Sequence, residues 1–438
     1  MSALLKGNRF LFLIVVLSLL LPLFTAGCGS NYEPDELAYV LLLGIDHGAQ
    51  NLLRVTYLIA IPKDIAGGGQ DAGGGGGGGN GKGSLVTTIE APSIYASMNM
   101  VNTYVGRKIS LMHAKGLIFS ETMAKDGFMA KFIPAITQFR EVRNTMFLAI
   151  SKEKPEEILE KMKPVIEPNP AKYIELLAST QNFTGFIPNV QLQEFYNELK
   201  VEGVDPASIL VAASDEKLPP DKGEGQYHTE GSYVAGELLK KGGVPIEAMG
   251  AAAFREGRMV GKLNGDETTI QVMLRGKFQR GIFSFRDPIE KGNIIAMEVS
   301  QAKHPQIKIQ LTGQGAVVDA KLNLEGNVLG NTSLIDYGLP ENRAILEKAF
   351  AQFIKKQADA LVKRAQQEFN SDILGFGIKA RRLALTQKEW QGLNWDSLFE
   401  NATVNIEVNY LIRRTGTLLR TMPVANPAQG VHEGENSQ

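Results

Sequence analysis

The side chains able to do chemistry are few in this 438-residue chain, and they are scattered. There is one cysteine, Cys28, and five histidines, His47, His113, His228, His304 and His432. No two histidines stand at metal-ligand spacing, and a lone cysteine leaves no material for an intramolecular disulfide, a cysteine-based zinc site or an iron–sulfur cluster. The chain carries neither G-x-S-x-G nor H-E-x-x-H. No catalytic, cofactor or metal site is therefore expected. Paired carboxylates, as in a glycosidase, need only meet in space, and Glu153, Glu156 and Glu157 form an acidic cluster; a charged face flanking a helix start accounts for it better. Asp372, set between Ser371 and two glycines, has the chemistry of a general acid. Its place at the end of a long helical run fits a terminating turn better, with glycine at positive φ.

Glycine invites a phosphate reading. Gly67 to Gly83 holds 12 glycines in 17 residues, and Gly76, Gly81 and Lys82 satisfy the first part of a P-loop. Position 83 is glycine where Ser or Thr must hold magnesium, and the next segment alternates like a strand instead of opening a helix. The tract reads as a flexible insertion in a surface loop.

Cys28 matters by position. Lys6 and Arg9 precede an apolar run from Phe10 to Leu21, followed by Pro22 and the small residues Thr25, Ala26 and Gly27. The run is shorter than the ~20 apolar residues that span a bilayer, so it reads as a cleaved secretion signal. Thr25-Ala26-Gly27-Cys28 resembles a bacterial lipobox, with Thr25 where leucine is usual. The resemblance implies a diacylglyceryl group on the Cys28 sulfur, and two acyl chains are about what stable anchoring takes.

The rest must fold. Hydrophobic residues make up 44% and charged residues 21% of the chain, and the net charge is -1, which offers no field to a nucleic acid. The length exceeds what one core fills, so two or three domains are expected. Strands are read at Leu37 to Ile45, Arg54 to Ile61, Leu111 to Ser120 and Asn144 to Ser151. Helices are read from Ser93 to Val105, Glu121 to about Phe132, Pro155 to Met162 and Pro170 to Leu177. His113 reads as a buried, hydrogen-bonded histidine. Asn264-Gly265 supplies the positive-φ residues of a tight turn, or the start of a short helix with Asp266 and Glu267. A strand-rich stretch runs from Ile270 to Gly326. From Glu341 to Phe369 no Gly or Pro occurs, and Leu346, Phe350, Ile354, Leu361 and Phe369 recur at helical spacing. A basic helical segment follows to Trp390, and an alternating strand lies at Val404 to Tyr410. The fold class is α+β, mixed α/β and multidomain, with mixed sheets packed by helices and one long C-terminal helix.

Ser371 to Gly377, reading SDILGFG, resembles the SDxxGFG element of the Ger(x)C family, the C-subunit lipoproteins of spore germinant receptors. Gly250 to Thr268, GAAAFREGRMVGKLNGDET, resembles the element that opens that family's C-terminal domain. Ala38 to Asp46, Lys108 to Ser120 and Asn144 to Ser151 fit its first half. The family's Trp-Asp after the cysteine is absent; Gly29, Ser30 and Asn31 follow instead. The residues and the resemblance together divide the chain into a signal peptide at 1–27, an N-terminal mixed α/β domain at 28–200 interrupted by a loop insertion at 67–83 that is peculiar to this sequence, and, where prolines, glycines and mixed charges change the composition, a connecting region or small middle domain at 201–245. A C-terminal germination-protein domain at 246–420 and a disordered tail at 421–438 complete it. Structural motif residues would be Gly261, Asn264, Gly265, Glu267, Thr268, Asp372, Gly375, Phe376 and Gly377, with Cys28 lipidated. The implied partners are membrane-embedded A and B subunits of the receptor and the inner spore membrane, contacted through the anchor. No cofactor is implied, and direct binding of a small-molecule germinant is left open. Two other classes fit the residues less well, a solute-binding lipoprotein of a transporter and an envelope hydrolase.

Overall fold

The structure is a computed structural model that describes residues 18, 32–61, 83–163, 166–167, 169–214, 227–312 and 315–415. Cys28, the tail from 421 and all but the last residue of the glycine tract lie outside the described residues.

Two mixed sheets organise the chain. The first is built from β1 (Leu37–His47), β2 (Leu53–Ala60), β3 (Ser84–Ala91), β4 (Lys108–Ser110), β5 (Gly116–Ser120), β6 (Phe147–Ser151), β7 (Ala207–Ala213), β8 (Ile246–Arg255) and β9 (Arg258–Leu263). Its order is β3-β2-β1-β5-β6-β7-β8-β9, with β4 paired to β1. β1, β5, β6 and β7 are mutually parallel. Parallel neighbours need crossovers, and helices supply them on both faces. One face packs on α1 (Ile94–Val105), α2 (Glu121–Lys125), α3 (Phe128–Thr137) and α6 (Leu192–Leu199), through Val101, Met123, Ile133 and Phe195. The other takes Leu159 of α4 (Pro155–Lys161) and Ile174 of α5 (Pro170–Ser179) against Leu42, Ile118 and Ile209. Local chemistry sets the helix starts: the Ser93 hydroxyl accepts from Ala96 N, and Asn169 accepts from Ala171 N and Lys172 N ahead of Pro170.

The second sheet is a continuous ladder of β10 (Arg280–Arg286), β11 (Ile294–Thr312), β12 (Gly315–Asn331) and β13 (Thr403–Arg414). α7 (Gly265–Leu274) leads into it from β9. β13 runs parallel to β12, and the crossover between them is the long helix α8 (Pro340–Arg364) with one π turn at Ala365–Phe369. α8 lays Leu346, Phe350, Ile354 and Leu361 on the sheet, where Phe350 meets Phe283, Phe285 and Tyr410. Three short helices, α9 (Phe376–Ala380), α10 (Gln387–Leu393) and α11 (Trp395–Glu400), connect α8 to β13.

Several local expectations are revised. Leu111 to Ser120 is not one strand: a turn closed by Ala114 N donating to Leu111 O precedes β5. The helix expected at 121–132 breaks at Gly127, φ 75°, into α2 and α3. The strand expected from Asn144 begins at Phe147. His113 is exposed in that turn, edge-on to Tyr39 at 4.9 Å. The stretch expected to open the strands at Ile270 is the buried second half of α7. The basic segment to Trp390 is interrupted between Leu383 and Gln387. The region 201–245 contributes β7, and β8 and β9 beyond it complete the same sheet.

Candidate functional site

Asp372 is 1% exposed at the place where the two sheets meet. The π turn ends in Asn370 at φ 47°, and the chain turns inward as Ser371 Oγ donates to Phe254 O of β8 at 2.6 Å. Asp372 N donates to Asp205 Oδ2 at 3.2 Å. The Asp372 carboxylate accepts from Phe376 N at 3.1 Å, from Gly377 N and from Trp395 Nε1 at 3.0 Å. It therefore satisfies two of the orphan N–H groups of α9 while pinning an indole. Gly375 stands at φ 78°, a conformation that glycine adopts without cost. Gly377 is helical, so only one of the two glycines is needed for its φ. The second is needed for room, because a Cβ there would run into Gly203 O and the Trp395 ring.

Asp205 is 7% exposed and also accepts from Glu256 N at 3.3 Å. Trp390 Nε1 donates to Glu202 O at 3.0 Å, and Trp390 stacks on Trp395 with centroids 6.3 Å apart. Gly203, φ 73°, lets both indoles approach the backbone. Burial pushes the Asp372 carboxyl up to about 7 against the pull of its donors, and the negative charge of Asp205 adds to the rise. Burial likewise pushes Asp205 up to about 6.

The second motif closes the same joint. Asn264 is the N-cap of α7 at φ −74°, with Asn264 Oδ1 accepting from Glu267 N at 2.9 Å and Glu267 Oε2 from Asn264 N at 3.1 Å. This is a capping box, so of the two readings of Asn264-Gly265 the helix start is formed and the tight turn is not. Thr268 Oγ1 donates back to Asn264 O at 2.7 Å. Gly265 packs its α-carbon against Gly231 and Met249, and Gly261 leaves space for the Phe369 ring. Glu267 pairs with Arg364 of α8, and Gln271 Nε2 donates to Ile373 O at 3.0 Å. Arg275, from the end of α7, forms a two-point ion pair with Glu198 at 3.1 and 3.0 Å, where both side chains are largely buried. The two sequence elements, about a hundred residues apart, thus make one buried joint. Asp205, Arg275 and the two tryptophans belong to it and were not read from the sequence. Asp205 had only Pro206 beside it as a signal, and that pointed to a connecting segment.

A general acid must reach a substrate atom. Asp372 instead spends its oxygens on the chain's own N–H groups. Beside the joint, α6 and α9 border an open cleft of about 450 Å³ with Asn144, Gln191, Asn197, Val204 and Arg381 on its walls. A groove of about 530 Å³ follows α8 along the edge strand β13. Among the described residues no group of three or more His, Cys, Asp or Glu could hold a metal ion, and no helix is long and apolar enough to cross a membrane. Glu153 is taken up by Ala213 N at 2.9 Å, while Glu156 and Glu157 occupy the first turn of α4.

Residues 249–416 match the family described as spore germination B3/GerAC like, C-terminal, and residues 30–212 match the spore germination protein N-terminal domain. The chain is 25% identical over 409 residues to the spore germination protein YfkR of Bacillus subtilis, covering 93% of this chain and 97% of that one. It is 22% identical to spore germination protein GerQC of Bacillus cereus, covering 92% and 98%, and 24% identical to spore germination protein KC of Bacillus subtilis, covering 94% and 97%. The crystal structure of the GerBC protein matches with a TM-score of 0.51 at 15% identity, over 85% of this chain and 96% of that one, which speaks to the fold.

Proposed function

Because the chain belongs to the GerAC-like spore germination family, we propose that it is the lipid-anchored C subunit of a spore germinant receptor. It acts through contacts with two membrane-embedded subunits in nutrient-triggered germination, and it turns over no substrate of its own. The observation that carries this reading is the coverage: both family domains match in order, and relatives named for spore germination align over nearly their full length. Cys28 is the acylated mature N-terminus, placing the folded part on the outer face of the inner spore membrane. The buried joint supports a scaffold role, since the Asp372 carboxylate is consumed by the chain's own N–H groups and ties the two sheets together. Affinity purification of the tagged chain from detergent-solubilised spore membranes should bring down two multi-span proteins. A chain that purifies alone from germination-competent spores, or spores lacking it that respond normally to every nutrient, would count against the proposal.

A further inference from the structure

From the place of one exposed basic knuckle, we infer that residues 379–388 form a second membrane contact, which lies on anionic lipid headgroups beside the Cys28 tether. This rests on the proposed anchoring of Cys28 and names a surface that anchoring does not supply. Between α9 and α10 the chain exposes Leu385 to 91% and Leu383 to 49%. Lys379, Arg381, Arg382 and Lys388 flank these two leucines along the chain, and none of the four forms an ion pair among the described residues. Arg381 has only Gln387 Oε1 at 3.2 Å. The carboxylate within the knuckle, Glu389, is occupied as an acceptor of Leu385 N at 2.8 Å and sits in the capped first turn of α10. An exposed aliphatic tip flanked by cations without ion-pair partners matches a phospholipid surface, where the tip enters the headgroup layer and the cations meet phosphate.

Topology puts the knuckle at the tether. β1, β5, β6 and β7 are parallel, so the chain enters β1 and β7 from the same end of the sheet. β1 is entered from Tyr32, only four residues after Cys28, a reach of about 14 Å at most. β7 is entered from Glu202 to Pro206, and there the base of the knuckle is fastened, by Trp390 Nε1 to Glu202 O and by Asp372 to Asp205. β1 and β7 lie three strand spacings apart, about 14 Å. A lipid on Cys28 therefore brings the bilayer to the end of the sheet from which the knuckle projects. Glu33, Asp35 and Glu36 lie exposed beside the tether, where they outnumber Arg107 and Lys108, the latter over the Tyr32 ring at 3.9 Å, so the excess of positive charge lies at the knuckle. The fastening makes the base rigid, which holds the cations at a fixed height.

The test labels the full acylated chain at Leu385→Cys with a fluorophore and reconstitutes it in vesicles carrying a lipid-attached quencher. Vesicles of phosphatidylcholine alone are compared with vesicles one-third phosphatidylglycerol, and a label at Asn51→Cys, at the opposite end of the sheet, is the reference. On the anionic vesicles, position 385 should be quenched several-fold more than position 51. Replacing the four cations with Gln should remove most of that difference, since each charge near an anionic surface is worth about fivefold in partition. Circular dichroism should be unchanged, because these side chains hold no core contact. Equal quenching at 385 and 51, or quenching at 385 that ignores phosphatidylglycerol or survives the Gln replacements, overturns the inference and leaves an acidic protein surface as the partner of the basic residues. Acylation is read separately by mass. An acylated chain unquenched at 385 removes this inference alone, whereas a non-acylated chain quenched at 385 removes the anchor alone. A chain with neither property removes both.

Discussion

The two sheets bury themselves in different ways. In the nine-stranded sheet the central strands are covered on both faces: all five residues of β5 are buried, as are six of seven in β7. In the four-stranded sheet only one face is covered. β12 alternates strictly, with Val318, Ala320, Leu322 and Leu324 turned to α8. Its other face carries a cross-strand polar ladder with β13, in which Asn405 donates to Asp319 at 2.8 Å, Lys321 to Glu407 at 2.6 Å and Arg413 to Glu325 at 2.8 Å. The first sheet behaves as an interior and the second as a wall. A substitution in the first should be felt from either face, and one in the second should depend on which face it touches.

The largest expected effect tests the interior. Phe119 in β5 is fully buried, so Phe119→Ala should cost about 3–5 kcal/mol in urea unfolding of the mature chain. A loss below about 1 kcal/mol would mean that the two-faced burial does not hold the sheet. The next effect belongs to the joint between the sheets. Asp372 and Asp205 have carboxyl groups raised to about 7 and about 6, so the folded state holds protons that the unfolded state releases near pH 4. Stability from this pair is fully present below pH 4 and is lost as pH rises to 7. Asp287 runs the other way. Although burial opposes it, hydrogen bonds from Ser333 and Tyr337 hold its carboxyl below the ordinary range, so its contribution is lost only in stronger acid. Denaturation midpoints from pH 4.5 to 7.5 should therefore decline in the parent chain and decline less steeply in Asp372→Asn, where Asp205 alone remains. An equal slope in both would remove the proton from the joint.

The contrast also explains what could be read from the sequence. The long helix was legible because its apolar residues repeat at helical spacing without glycine or proline, and the family resemblance was carried by two motifs that stand intact. The alternation of the second sheet was visible at Val404 to Tyr410. The first sheet was harder, because a strand buried on both faces has no period to mark its ends; Leu111 to Ser120 looked like one run for that reason. The joint was the least legible part. Asp205, Arg275 and Asp372 are far apart in sequence, and nothing local to any of them shows that it will be desolvated. Asn264-Gly265 carries turn chemistry, and Glu267, by reaching back to the Asn264 N–H, decides for a helix start instead.

At the joint, the two glycines of the SDxxGFG element divide one expectation into two. Gly375→Ala should cost about 1–2 kcal/mol through its positive φ, with the Arg275 guanidinium as the nearest atom to the new methyl at 3.1 Å. Gly377→Ala should cost more, because its methyl meets backbone that cannot move aside without shifting Gly203. Thermal unfolding of both variants gives the order. A reversal would show that φ, and not the close approach to Gly203, governs the turn.

The smallest expected effect lies on the open face of the second sheet. Lys321 and Glu407 make a 2.6 Å contact, yet their side chains are 37% and 60% exposed, so solvent screens the pair and ordering two long side chains offsets most of the attraction. Glu407→Ala should change stability by less than about 1 kcal/mol, and the change should shrink further in high salt. Tyr410 sits three residues on, on the covered face against Phe350, and Tyr410→Ala should cost several times as much as Glu407→Ala. Measured side by side, these two neighbours of one strand isolate the face as the variable. If Glu407→Ala proved as damaging as Tyr410→Ala, the polar face would be buried in the working assembly. The ladder from Asp319 to Arg413 would then be an interface rather than a solvated wall.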